Sequence, residues 1–237
     1  PESDPGVDQG RLPLASNHIG QNLRLLILGG VEVAQVGTER IRRDLLALCV
    51  AQEAARLIQE HGLEDFRAAK NKAAERFGAG KRRSLPTNQE IELALAERQR
   101  IFRAEQHPLM LLRLRETATT VMRQLQAFRP RLVGAVLSGN ATEHSPVDLH
   151  LFSDAAEKVG ENLHTQAIAH QFIERRYRLR RDSLTDLPGY RFYFSGIKIF
   201  VAVFPERLQG HAPLSPIDGR PMQRANLCEV ERLLKNH

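Results

Sequence analysis

Apolar residues recur three and four apart through the first half of the chain and alternate with polar ones every second residue later on. The first spacing buries one stripe of a helix; the second buries one face of a strand. Ile41, Leu45, Leu48, Ala55 and Ile58 predict a helix over 38–60, with Gly62 as its stop. Phe66, Ala69, Ala73 and Phe77 predict a second over 64–77, ending at Gly78. A basic linker, GAGKRRSLP, follows. Thr87 stands three residues before Glu90, the spacing of a capping box, and opens a third helix carrying Ile91, Leu95, Ile101 and Phe102. Pro108 starts a fourth, where its missing N–H does no harm. Its stripe is Leu111, Leu114, Ala118, Val121, Leu125 and Phe128, and Pro130 ends it. Met110 and Met122 read as adaptable core filler. The first half is expected to be a bundle of about four helices.

The period then changes. An apolar strand is expected over 132–137, and a second where Val147, Leu149 and Leu151 alternate with Asp148, His150 and Phe152. Asp154 stands three residues before Glu157, so 154–166 is expected to be a helix with a side-chain cap. HQFIERRYRLRR reads as a strongly basic strand, and Ser195-Gly196 joins two further strands as a hairpin. A loop, HAPLSPIDGRPMQRA, leads to a closing helix. Helices followed by strands make the fold class α+β. Ahead of all this, 1–22 reads as a flexible tail. LRLLILGGVEVAQV, 23–36, reads as two short strands around Gly29-Gly30 or as an apolar arm. The expected division is a flexible or loosely docked segment 1–37, a helical domain 38–130 and an α+β domain 131–237.

Composition narrows the classes. At 237 residues, 42% apolar and 26% charged, the chain has the balance of a soluble globular protein with ample length for a core. No apolar run approaches the ~20 residues of a membrane helix, and no leader pattern opens the chain. Cys49 and Cys228 lie far apart in helical patterns, which suits a reducing compartment, so the cytoplasm is the expected location. No Cys/His cluster suggests zinc. The net charge of +6, mostly from arginine, would attract phosphates or nucleic acid, or would simply solvate the helices.

The stretch VGAVLSGNATEHSPVDLHLFSD carries the candidate chemistry. Gly139 with a small polar neighbour would let backbone amides approach a phosphate. Carboxylates at alternate strand positions share a face and can hold divalent ions between them. In strand–loop–strand–helix order this stretch resembles the nucleotidyltransferase superfamily of the polymerase-β-type fold. Gly139-Asn140 stands where that family has Gly-Ser, and Ser145-Pro146-Val147-Asp148 where it has Ser-Asp-x-Asp. KNKAAERFG, LPTNQEIELAL, LHLFSD and GRPMQRA add a narrower resemblance to small bacterial nucleotidyltransferase-like proteins.

The resemblance implies transfer of a nucleoside monophosphate from an NTP such as ATP, with Mg²⁺ or Mn²⁺, to a protein, RNA or small-molecule acceptor. Ser138, Gly139, Asn140 and Ser145 would then cradle the triphosphate. Asp148 would hold the metal with help from His150, and Arg176, Arg178 and Arg180 would neutralise phosphate from one face of the basic strand. Read from its own residues, that strand could face a nucleotide or RNA with Tyr177 available to stack, or be a solvated edge strand whose charges prevent edge pairing. The chain departs from the pattern at three places. Pro146 replaces the first Asp, Asn140 replaces a small hydroxyl, and Ile197–Phe204 contains no carboxylate, only Lys198. The alternative is therefore a degenerate module that keeps the fold and binds a nucleotide or RNA, or has a regulatory role; a plainer one is an interaction protein working through its helices. A carboxylate such as Glu143 or Asp154 near Asp148 would rebuild a metal site. An arginine there would make Asp148 a structural ion-pair partner.

Overall fold

The box expected at Thr87 forms: Thr87 Oγ1 accepts from the Glu90 N–H at 3.2 Å, and Glu90 Oε2 accepts from the Thr87 N–H at 2.6 Å. The structure is a computed structural model and describes residues 35–63, 65–78, 85–102, 106–180 and 183–235. The expected tail 1–22, most of the segment 23–36 and the linker residues 79–84 lie outside the described residues; Gln35 and Val36 belong to a helix. Residues 43–237 form one compact unit; of the other unit, 1–42, only Gln35–Arg42 is described, as helix.

Helices α1 (Gln35–His61), α2 (Phe66–Arg76), α3 (Asn88–Phe102) and α4 (Gln106–Gln124) form over the expected segments, but the expected stripes are buried only in part. Ala55 and Ile58 of α1 are buried, whereas Ile41, Leu45 and Leu48 are exposed, as are Phe77 and Ile101. Asp65 caps α2 by accepting from the Arg67 N–H, and Gly62 takes φ +63° just past the end of α1. Val50, Ala54 and Leu57 pack with Ala69 and Ala73 of α2 and with Ile91 and Leu95 of α3 in one core. The fourth helix departs from a simple bundle. Leu111, Leu114, Ala118, Val121 and Met122 of α4 join the core of the sheet instead. A helical stripe shows that a face is buried, not what buries it.

The sheet has five strands in the order β1-β2-β5-β4-β3, with β1 (Arg131–Val133), β2 (Val147–Phe152), β3 (His170–Arg180), β4 (Ser183–Phe194) and β5 (Ile197–Phe204). β2 and β5 run parallel, and the other neighbours are antiparallel. Ser195 and Gly196 both have positive φ, the turn that matches strand twist in a two-residue hairpin. The odd residues of β2, Val147, Leu149 and Leu151, face α4, α6 (Glu157–Thr165) and α7 (Leu227–Lys235) in the main core. Gly160 of α6 leaves room for Tyr190, whose hydroxyl donates to the Ala156 carbonyl at 3.1 Å; a Cβ there would sit 2.8 Å from that oxygen.

Two local expectations are corrected. The strand expected over 132–137 stops at Val133 because Gly134 turns at φ +72° into a short helix, α5 (Gly134–Ser138). The cap expected at Asp154 does not form: α6 starts later, after Ala156, and the Asp154 carboxylate accepts from the Glu206 N–H instead.

The segment 205–226 is a strap. Leu214 N–H donates to the Arg178 carbonyl on the outer edge of β3, and Ala225 exchanges both backbone bonds with Leu132 on the outer edge of β1. Ahead of the first anchor, Leu208 packs against the cluster of Phe152, Leu187, Ala202 and Phe204. Between the anchors, Arg224 reaches His150, Phe152 and Phe204 on the even faces of β2 and β5. Gly189 of β4 lies opposite Ala202, and a Cβ built on it would fall 2.2 Å from the Val201 carbonyl oxygen. Backbone cannot yield as a side-chain tip can, so Gly189→Ala is expected to destabilise by about 1–3 kcal/mol or more in urea unfolding. Gly210→Ala, with open space around it, should leave the midpoint unchanged; equal midpoints for the two variants would contradict this packing.

Candidate functional site

The chain passes from β1 to β2 through α5 and a loop, and the helices fix both. The buried Arg115 of α4 donates from Nε to the Val136 carbonyl at 3.2 Å and from Nη2 to the Leu137 carbonyl at 3.4 Å, which supplies positive charge at the end of α5. Burial lowers the pKa of Arg115. Gln99 of α3 donates to the carbonyls of Asn140 and Ala141, and His107 Nε2 lies 3.1 Å from the second of these. These bonds explain where four expected phosphate-binding residues go. Ser138 Oγ donates to Ala135 O, and Gly139 (φ +91°) ends α5 with its N–H on that same carbonyl. Asn140 Nδ2 donates to Glu92 Oε1, and Ser145 Oγ accepts from the Thr142 N–H. All four are engaged within the loop or against α3.

The glycine that meets Asp148 is another one. A Cβ on Gly134 would lie 3.2 Å from Asp148 Oδ2. Sequence reasoning took Gly139 because it ends the apolar run; the signal for Gly134 was a glycine inside that run, where a strand would gain nothing from it.

Asp148, His150 and Phe152 share the even face of β2, as expected. Register sets Phe200 beside Asp148 and Arg191 beside Phe200. Arg175 reaches over from β3: its Nη1 donates to Asp148 Oδ1 at 2.5 Å, and its guanidinium carbon lies 4.9 Å from the Phe200 ring centroid. Sequence reasoning missed Arg175, since an alternating basic strand does not say which of its arginines faces inward. Glu143 lies beside His144, and the Asp154 carboxylate accepts from the Glu206 N–H.

His150 is fully buried. Its ring packs 4.4 Å from the Phe204 centroid and meets Tyr177 nearly at right angles, at 5.2 Å. Arg224 Nε lies 3.1 Å from Nδ1. Arginine only donates, so Nδ1 accepts and the proton of the neutral ring sits on Nε2. Nε2 has no hydrogen-bond partner among the described residues. Burial, then the charges of Arg224 and Arg175, hold the imidazole pKa well below 6.5. Burial also pushes the Tyr177 hydroxyl up to about 12 and brings Arg224 down to about 10.

Arg176, Arg178 and Arg180 do not join this group. They point to the opposite, exposed face of β3, where Arg176 pairs with Asp186 at 2.7 Å. Arg175, Tyr177 and Leu179 take the inner positions. Among the described residues, no group of three His, Cys, Asp or Glu side chains could hold a metal ion. With Asp148 bonded to Arg175 and His150 Nδ1 to Arg224, this donor set does not fit Mg²⁺ or Mn²⁺. A surface cavity of about 300 Å³ lies elsewhere, between Met122, Arg129, Arg131, Asn226 and Cys228. No helix among the described residues is long and apolar enough to cross a membrane. No protein-family model matches the chain, and no curated protein matches its sequence.

A histidine held neutral when folded binds its proton more readily once unfolded, so its contribution is complete above about pH 6.5 and is lost as pH falls. Wild type should lose up to about 1.4 kcal/mol more stability per pH unit below that value than His150→Gln does. Parallel stability–pH curves for the two proteins would contradict the burial of a neutral His150.

Proposed function

We propose that this chain is a nucleic-acid-binding module built on a nucleotidyltransferase-like sheet, with the strand face of metal-assisted transfer converted to a packed, arginine-bonded face. The observation that carries this reading is the Asp148–Arg175 pair. The carboxylate that a transferase would use on a divalent ion accepts from a guanidinium instead. The buried His150, closed in by Arg224, Tyr177 and Phe204, supports it in the same way. Support for the nucleic-acid partner comes from charge: a net +6, and arginines on both faces of β3.

One observation favours the transferase reading. Gly134 leaves no side chain beside Asp148, an opening through which a phosphate could approach once Arg175 swung away. In that case an NTP with Mg²⁺ would bind there and pass its nucleoside monophosphate to a protein, RNA or small molecule.

A thermal-shift titration separates the two. A ligand at ~100 times its Kd stabilises the native state by about 2.7 kcal/mol. Each of the four NTPs, with Mg²⁺ or Mn²⁺, is expected to shift Tm no further than without metal, while an RNA oligomer stabilises the chain in a salt-dependent way. A metal-dependent NTP shift that disappears in Asp148→Ala would overturn the binding-module reading and establish a live transferase site.

A further inference from the structure

Beyond the strap, the even face of the sheet continues toward the Ser195-Gly196 turn, and there its character changes. Phe200 is half-buried, with Arg175 at 4.9 Å and Lys198 Nζ at 6.0 Å from its ring centroid. Tyr193 lies opposite Lys198 on the neighbouring strand and is 63% exposed. Arg191 lies opposite Phe200, is exposed, and donates to the Gln171 side chain on β3. Strand periodicity puts Lys198, Phe200, Arg191 and Tyr193 on one face with Asp148. Two rings and three cations, with one carboxylate among them, therefore share one surface.

This combination has no use in the core. Tyr193 points away from Phe192, which is buried on the other face, and it adds nothing to the cluster under the strap. The side chains do suit a polynucleotide strand. Every base has a π-face, so exposed rings accept bases with little regard to sequence, while lysine and arginine follow the phosphates. Tyr193 and Phe200 are diagonal neighbours on adjacent strands, about 7 Å apart, which two successive nucleotides of an extended strand can bridge. A duplex hides its base faces and could not use the rings.

We propose that the open end of this face, formed by Tyr193, Phe200, Lys198, Arg191 and Arg175, is a platform for single-stranded RNA. Bases stack on Tyr193 and on the Phe200 edge of the surface, and Lys198 and Arg191 hold the flanking phosphates. The platform rests on the nucleic-acid reading above and gives it a place: the inner, β4–β5 side of the sheet, not the exposed arginines of β3.

The test is fluorescence anisotropy of a labelled single-stranded RNA 12-mer of mixed sequence with the full chain. The variants are Tyr193→Ala, Lys198→Glu and, on the opposite face, Arg178→Glu, each checked for an unchanged Tm. Tyr193→Ala is expected to weaken binding about tenfold, the loss of one stacked base. Lys198→Glu should weaken it and lower the slope of log K against log salt by about 1. Arg178→Glu should have the smaller effect. RNA binding that both Tyr193→Ala and Lys198→Glu leave intact would overturn the platform while the nucleic-acid reading stands. Equal affinity for a duplex of the same length would also overturn it. No binding of RNA by the wild type would overturn both.

Discussion

One guanidinium group joins the strap 205–226 to the sheet. Arg224 donates from Nε to His150 and from Nη1 to the carbonyls of Leu208, Gln209 and His211, at 3.1 to 3.3 Å. Its plane also lies over Phe204 and Phe152, at 4.8 and 5.1 Å from their centroids. The strap has little regular structure of its own, so its backbone carbonyls need partners, and a five-donor side chain supplies several from one point. That arrangement requires a neutral imidazole as acceptor. It also brings Arg224 close enough to His150 to favour the neutral form, so the bond and the protonation state support each other.

The same constraint decides what the face can do. A strand that presents Asp-x-His to solvent is a reasonable start for a metal site. Here Tyr177, Phe204 and Arg224 close over the histidine, and Arg175 bonds the aspartate. Both guanidinium groups bond atoms, Asp148 Oδ1 and His150 Nδ1, that could otherwise ligate a divalent ion. Cations already in place repel a second one and lower the affinity of the remaining ligands. Toward the Ser195-Gly196 turn the face keeps its positive charge, the exposed Tyr193 ring and the half-buried Phe200 ring.

The sequence made the elements legible and the pairing of side chains much less so. The Thr87 box and the Ser195-Gly196 turn are local, and each formed where local chemistry put it, whereas the expected stripe of the first helix is exposed at Ile41, Leu45 and Leu48. The partner of α4 was not legible, because its stripe fits a bundle or a sheet equally well. The run 132–137 looked like a strand, and a single glycine at φ +72° turned everything in it after Val133 into a helix. At the site, the shared face of Asp148 and His150 followed from period two. The identity of their neighbours did not: Arg175 lies 27 residues from Asp148, and Arg224 lies 74 from His150. Contacts at that separation come from strand order, which periodicity does not encode.

The most direct measurement is a double-mutant cycle on the Asp148–Arg175 pair by urea unfolding, using Asp148→Asn, Arg175→Met and the double variant. A carboxylate kept for structure loses its partner in either single variant. Both should then be destabilised, with a coupling of about 1 kcal/mol, since the pair is only partly buried. A carboxylate kept for a ligand is instead held against the stability of the empty fold. Asp148→Asn would then stabilise the protein, with no coupling to Arg175, and the face would be a site awaiting its ion.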